Sequence, residues 1–200
     1  MAVAVDYYLS LMSPWAYLGG ARFKQILARH GATAVVKPAD FHRVFAQSGG
    51  LPLGQRAPQR RAYRLQEQRR WREFLGVPLN VEARHVPADT KLAVAMVIAA
   101  RRQRRDPLDF TQVIMAAAWS EERDVADAAT LVELADRVGL DGRALLAASD
   151  DPAVAAAFEA DTQEAMDRQV FGAPSYVVGT EIFWGQDRLD FLDRHLARAG

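Results

Sequence analysis

Two hundred residues, half of them hydrophobic, suffice for one sizeable core, and a chain of this length is expected to form one domain. A formal net charge of zero argues against a general nucleic-acid binder, and the longest weakly polar run, Leu92 to Ala100, is far too short to span a bilayer. The absence of cysteine excludes disulfide exchange carried by a protein thiolate, and a start without a basic region leading into an apolar stretch points to the cytoplasm.

Along the chain, Val3, Val5, Tyr7 and Leu9 recur with the period of two expected of a strand. The segment from Trp15 to His30 carries Ala16, Leu18, Phe23, Ile26 and Leu27 at helical spacing, and Gly31 stops it. Ser13 before Pro14 reads as an N-cap with proline at the first helical position, where the missing N–H costs nothing. Free amides and the positive end of the helix dipole then face whatever lies above Ser13, which makes this turn a place to hold an anion.

A second strand is expected from Thr33 to Val36, ended by Lys37-Pro38, followed by a breaker-rich loop from Ser48 to Gly54. From about Pro58 to Val170 the pattern is only helical. Helices are predicted near 58–75, 89–105, 107–118, 125–138, 142–148 and 152–170, with breaks at Gly76-Val77-Pro78, Asp106-Pro107, Gly139 to Gly142 and Asp150-Asp151-Pro152. Strands return at Ser175 to Val178 and Ile182 to Trp184, joined by a tight Gly179-Thr180 turn. Gly185-Gln186-Asp187 leads into a last helix whose apolar face is Leu189, Phe191, Leu192, His195 and Leu196.

Arginines crowd the helix from Arg56 to Arg72 and the stretch from Arg101 to Arg105, while acidic residues dominate from Asp106 to Asp167. These read as solvated helix faces with modest ion pairing. His30, His42, His85 and His195 are scattered without ligand spacing, so no metal site is expected. Tyr63, Trp71 and Phe74 read as helix-packing residues.

A strand, a reactive turn and a helix, followed much later by Gly172-Ala173-Pro174-Ser175-Tyr176-Val177-Val178, is the plan of a thioredoxin-like fold. Ser13 and Ala16 stand where that plan usually has Cys-x-x-Cys. The expected architecture is α/β: one domain with a thioredoxin-like core at 1–50 and 165–200 and a large all-helical insertion at about 55–165.

Four stretches carry a more specific resemblance: Ser13-Pro14-Trp15-Ala16-Tyr17-Leu18, Arg70-Trp71 before Gly76-Val77-Pro78-Leu79, Val170-Phe171-Gly172-Ala173-Pro174, and Trp184-Gly185-Gln186-Asp187-Arg188-Leu189. Through them the chain resembles, nearly end to end, the 2-hydroxychromene-2-carboxylate isomerases, which belong with kappa-class glutathione transferases in the DsbA-like branch of the thioredoxin fold. The resemblance implies glutathione as cofactor, with Ser13 as the catalytic residue that stabilises its thiolate. It implies a cis Ala173-Pro174 bond presenting the Ala173 backbone to the cysteinyl part of glutathione. It also implies that Trp184, Gly185, Gln186 and Asp187 hold the γ-glutamyl end, Asp187 taking its ammonium and Gln186 with nearby amides its carboxylate.

The implied reaction is the cis-trans isomerisation of 2-hydroxychromene-2-carboxylate to trans-o-hydroxybenzylidenepyruvate in aromatic catabolism, by a homodimer to whose interface the basic helix could contribute. The substrate is then a small aromatic carboxylate, for which Trp15, Phe45, Arg84, His85 and Trp119 are candidate contacts. The pattern departs from the family where Phe45 stands near a usual lysine and His85 at a usual tyrosine. Two other readings stay open: a kappa-like transferase or peroxidase that consumes glutathione, and a non-catalytic thioredoxin-like module that binds peptides along the Ala173-Pro174 edge.

Overall fold

Alternation along the first strand builds two apolar layers at once. In the computed structural model, which describes residues 2–199, β1 (Ala4–Leu9) buries Val5, Tyr7 and Leu9 on one face and Tyr8 on the other. β1 pairs in parallel with β2 (Thr33–Pro38) and antiparallel with β3 (Ser175–Val178), which pairs antiparallel with β4 (Glu181–Trp184), giving the order β2-β1-β3-β4. The right-handed connection rule for parallel strands is served by α1 (Pro14–His30) between β1 and β2.

On the Tyr7 face, α1 and α9 (Leu189–Ala199) cover the sheet. Tyr7 and Tyr176 stack with ring centroids 5.1 Å apart, and Phe23 of α1 tilts against both at 5.0 and 4.6 Å. Burial pushes both phenol hydroxyls well above their ordinary range. Two adjacent glycines of α1 admit close neighbours: a Cβ on Gly19 would fall 2.7 Å from Gln186 Cβ, and one on Gly20 would fall 1.8 Å from Gln112 Oε1.

On the Tyr8 face lies a smaller apolar cluster with Phe41, Val44, Val170 and Val177. Its margin is ionic. Lys37 binds Asp6 at 2.9 Å and Glu164 at 2.7 Å, and Arg168 pairs with Asp6 and reaches Glu164 at 3.5 Å. Burial opposes the Lys37 charge, but the bonds from Glu164 and Asp6 outweigh it and hold its pKa up.

Between β2 and β3 the chain runs α2 (Phe41–Ser48), α3 (Pro58–Leu75), α4 (Lys91–Arg102), α5 (Leu108–Trp119), α6 (Ala128–Arg137), α7 (Gly142–Ala148) and α8 (Pro152–Asp167). No strand interrupts 58–170, as expected, and no described helix is long and apolar enough to cross a membrane. α2 was not anticipated. Its start is Asp40, whose carboxylate accepts from the His42 and Arg43 amides, and its end is Gly49 in the left-handed region. Three helices are shorter than expected: Arg104 and Arg105 lie past α4, α6 starts after Asp127, and Gln169 with positive φ follows the end of α8; α5 keeps its expected length but is shifted by one residue, with Pro107 as its cap.

The charge reading also changes at one point. Arg101 Nη2 donates to Asp161 Oδ2 at 2.7 Å and Nη1 to the Val36 carbonyl at 2.8 Å, with Asp161 only 6% exposed. This pair is interior, not solvated. It binds α4, α8 and β2 together, and burial raises the Asp161 pKa despite the opposing pull of Arg101.

Candidate active site

The turn after β1 is built as a cap. Ser13 has extended backbone (φ −82°, ψ 114°), and its Oγ accepts from the Ala16 amide at 3.2 Å. Pro14 occupies the first helical position, and the residue is nearly enclosed at 8% exposure. The cap uses a lone pair of the hydroxyl, so its hydrogen is left to donate to something placed above the helix end. No acidic side chain occupies the first turn of α1 to compete for that position.

The second group of expected residues comes together by a loop-to-loop bond. Ala173-Pro174 is cis, and the Pro174 carbonyl accepts from the Gly185 amide at 2.8 Å. Gly185 has φ +97° and ψ 150°, a conformation left essentially to glycine. It lets β4 turn at once into a 3₁₀ turn, Gln186–Arg188, whose leading amides have no partner within the turn. Gly172 lies beneath the Trp184 indole, since a Cβ there would meet Nε1 at 2.3 Å. Trp184 is half exposed and packs edge-on against Phe171 with centroids 4.8 Å apart.

Asp187 is exposed and pairs with the neighbouring Arg188 at 2.8 Å. Gln186 requires a correction. The residue is 2% exposed, its Cβ sits against Gly19 and its Oε1 is buried without a partner, so its side chain points into the protein and not toward a ligand.

Of the substrate candidates, Trp15 lines a cleft of about 360 Å³ between the start of α1 and α3, together with Arg56, Arg60, Tyr63 and Arg64. Phe45 does not line this cleft; the Arg56 guanidinium lies 6.0 Å from its ring centroid, and it packs on the same apolar cluster as Ala173. Arg84 and His85 fall in the irregular stretch between α3 and α4 and do not line the cleft. Trp119 is a core residue at 3% exposure, closed to any substrate. A smaller cavity of about 200 Å³ between α2 and the end of α8, lined by Val44, Gln47 and Met166 among others, contains none of the expected site residues.

The sequence reading missed the cleft because α3 is so polar that nothing in its pattern marks an inward face. The signal present was Arg64-x-x-x-Gln68, a polar pair one helical turn apart. Gln68 is fully buried, and in the amide orientation that satisfies both groups its oxygen accepts from Arg64 Nη1 at 2.6 Å.

The fold that carries these residues is shared with known proteins. The chain is 29% identical to a 2-hydroxychromene-2-carboxylate isomerase from Sphingobium xenophagum, over 98% of this chain and 99% of that protein. A solved 2-hydroxychromene-2-carboxylate isomerase superposes with a TM-score of 0.78 at 23% identity, covering 98% of this chain and 95% of its own. The cytosolic disulfide reductase DsbM from Pseudomonas aeruginosa, solved with GSH, superposes with a TM-score of 0.67 at 21% identity, covering 98% and 100%. The family described as DSBA-like thioredoxin domain matches residues 4–197, nearly the whole length, and the chain therefore belongs to the DSBA-like thioredoxin-domain family.

Proposed function

We propose that this protein is a glutathione-dependent isomerase acting on 2-hydroxychromene-2-carboxylate or a close relative, with Ser13 as the catalytic residue. The observation that carries the reading is the enclosed Ser13 hydroxyl at the start of α1, its hydrogen free, in a chain without cysteine. Such a terminus suits a sulfur anion brought in by a ligand. The full-length similarity to proteins named for this isomerisation supports the choice of reaction. A cytoplasmic homodimer goes with the same reading.

The residues present fit glutathione in outline. The Ser13 hydroxyl and the α1 terminus would hold its sulfur. The backbone at Ala173, beside the cis bond to Pro174, would pair with its cysteinyl unit. The open amides of the turn after Gly185, the Asp187 carboxylate and the Trp184 ring would receive its γ-glutamyl end. When bound, glutathione would supply a thiol nucleophile for covalent catalysis on the conjugated substrate. Ser13 would donate a hydrogen bond that keeps that sulfur anionic, and the helix dipole adds ~0.3–1 kcal/mol in the same sense. Trp15 and the cleft beside it receive the aromatic acid and shield it from water.

Thiol accounting tests the reaction. Supplied with hydroxychromene carboxylate and a small amount of glutathione, the protein should form the open trans isomer over many turnovers while total free thiol stays constant. Loss of one thiol per product would instead identify a transferase, and absence of glutathione binding would leave the non-catalytic module.

Asp187→Asn separates cofactor binding from chemistry. Removal of the carboxylate should weaken glutathione roughly tenfold, in keeping with a partly exposed charged hydrogen bond, and leave kcat at saturation unchanged, as expected of uniform binding. A lower melting temperature with unaltered glutathione affinity would reduce Asp187 to a structural partner of Arg188.

A further inference from the structure

Three arginines face the cleft beside Trp15, and they are not equivalent. Arg56 is engaged with its own loop: Nε donates to the Leu51 carbonyl at 2.8 Å, and the guanidinium lies over Phe45. Arg60 is exposed. Arg64 is sunk into the cleft wall, and its partner is the neutral amide oxygen of Gln68, at 2.6 Å from Nη1 and 3.2 Å from Nη2. Glu67, the one acid lining the cleft, is bound to Arg70 at 2.5 Å. Among the described residues no carboxylate reaches Arg64.

A partly buried cation with only a neutral partner is costly, because the desolvation is not repaid by an opposite charge. Burial, with the like charge of Arg56 behind it, brings its pKa down to about 10, which still leaves it charged at neutral pH. Gln68 holds the guanidinium by two donors and leaves the others for a ligand, and a planar fork of this kind matches a carboxylate with two parallel bonds. The cleft lining includes two aromatic residues, Trp15 from α1 and Tyr63 from α3, and its volume of about 360 Å³ is that of a small-molecule site.

We propose that Arg64, fixed by Gln68, binds the carboxylate of an aromatic acid whose rings lie between Trp15 and Tyr63. Trp15 is two residues beyond Ser13, so an acid seated there is held beside the sulfur-binding end of α1. That this acid is the substrate rests on the proposed function; its recognition through Arg64 does not. The other carboxylate source of the same chemistry is the glycyl end of glutathione, and the test distinguishes them.

Calorimetric titration of the whole protein with trans-cinnamate, its neutral amide trans-cinnamamide and glutathione should be run on wild type, Arg64→Met and Arg64→Lys. Wild type should bind cinnamate at least tenfold more tightly than cinnamamide. Arg64→Met should erase that preference without changing glutathione affinity, and Arg64→Lys should restore part of it. The melting temperature of Arg64→Met should stay within a few degrees of wild type, since relief of the uncompensated charge is offset by the buried Gln68 oxygen left without a partner. Equal binding of acid and amide by wild type, or unchanged preference in Arg64→Met, would each overturn the proposal. Weakened glutathione with cinnamate unaffected would assign the cation to the glycyl carboxylate and overturn it as well. A protein that shows the Arg64-dependent preference yet does not isomerise hydroxychromene carboxylate would keep this proposal and discard the function.

Discussion

Ser13→Ala should lower kcat by ~10²–10³-fold, the usual consequence of removing one donor from a developing or resident anion in an enclosed site. Glutathione affinity should fall far less, because the ends of the tripeptide are held elsewhere, at Ala173 and along Trp184 to Asp187. The bound thiol, followed by its ultraviolet thiolate absorbance, should titrate near neutrality in wild type and move back toward ~8.5 in the variant. The same substitution removes the α1 cap, which costs ~0.5–2 kcal/mol in stability. Ser13→Gly provides the control, since glycine caps almost as well as serine. Both variants should lose activity alike if the hydroxyl acts on sulfur. Recovery of turnover in Ser13→Gly, or an unmoved thiol titration in either, would reduce Ser13 to a helix cap.

The largest effect on stability should come from Arg101→Met. It strands the Asp161 carboxylate among α4, α8 and β2 and frees the Val36 carbonyl, and breaking a buried pair from one side costs ~3–5 kcal/mol. For a chain of this size that is a fall in Tm of roughly 10 °C. The pH dependence has a definite sign. Without Arg101 the buried carboxyl prefers its neutral form more strongly, so its folded pKa lies further above the unfolded one, and stability is lost as pH rises through that interval. The deficit against wild type should therefore shrink as pH falls and Asp161 protonates. Arg101→Met with Asp161→Asn should recover much of the loss at neutral pH. A melting curve indistinguishable from wild type would show that the pair contributes only what a surface bridge does.

Local chemistry was legible in the sequence and distant chemistry was not. Ser13 and Pro14 announce a helix start by themselves, and the structure has the cap bond where capping rules place it. Gly179-Thr180 likewise announces a hairpin. α2 was legible in principle, since Asp40 and Gly49 bracket Phe41, Val44 and Phe45 at helical spacing, but the breakers after it dominated the reading. Arg101 with Asp161 could not be found this way. Sixty positions separate them, and each alone looks like an ordinary surface charge.

The candidate site divides along the same line. Trp184 to Asp187 formed a recognisable string, but the inward turn of Gln186 depends on Gly19 in another helix. Arg64 is marked as inward only by the cleft it shares with Trp15 at the start of α1, and Gln68 only by its burial beside Arg64. Composition cannot mark such an inward face, because hydropathy assigns every arginine of that helix to solvent.

The paired glycines of α1 limit how this protein can be engineered. Glycine inside a helix normally invites replacement by alanine, a gain of about 1 kcal/mol per site. Here the methyl added at Gly19 would strike Gln186 Cβ in the turn that follows Gly185, whereas one added at Gly20 would meet only the far end of the Gln112 side chain on α5, which can turn away. A library built on helix propensity alone would thus select against its own purpose at Gly19. Thermostabilised versions have to be sought on the solvent faces of α6 and α8, away from the helix that carries Ser13.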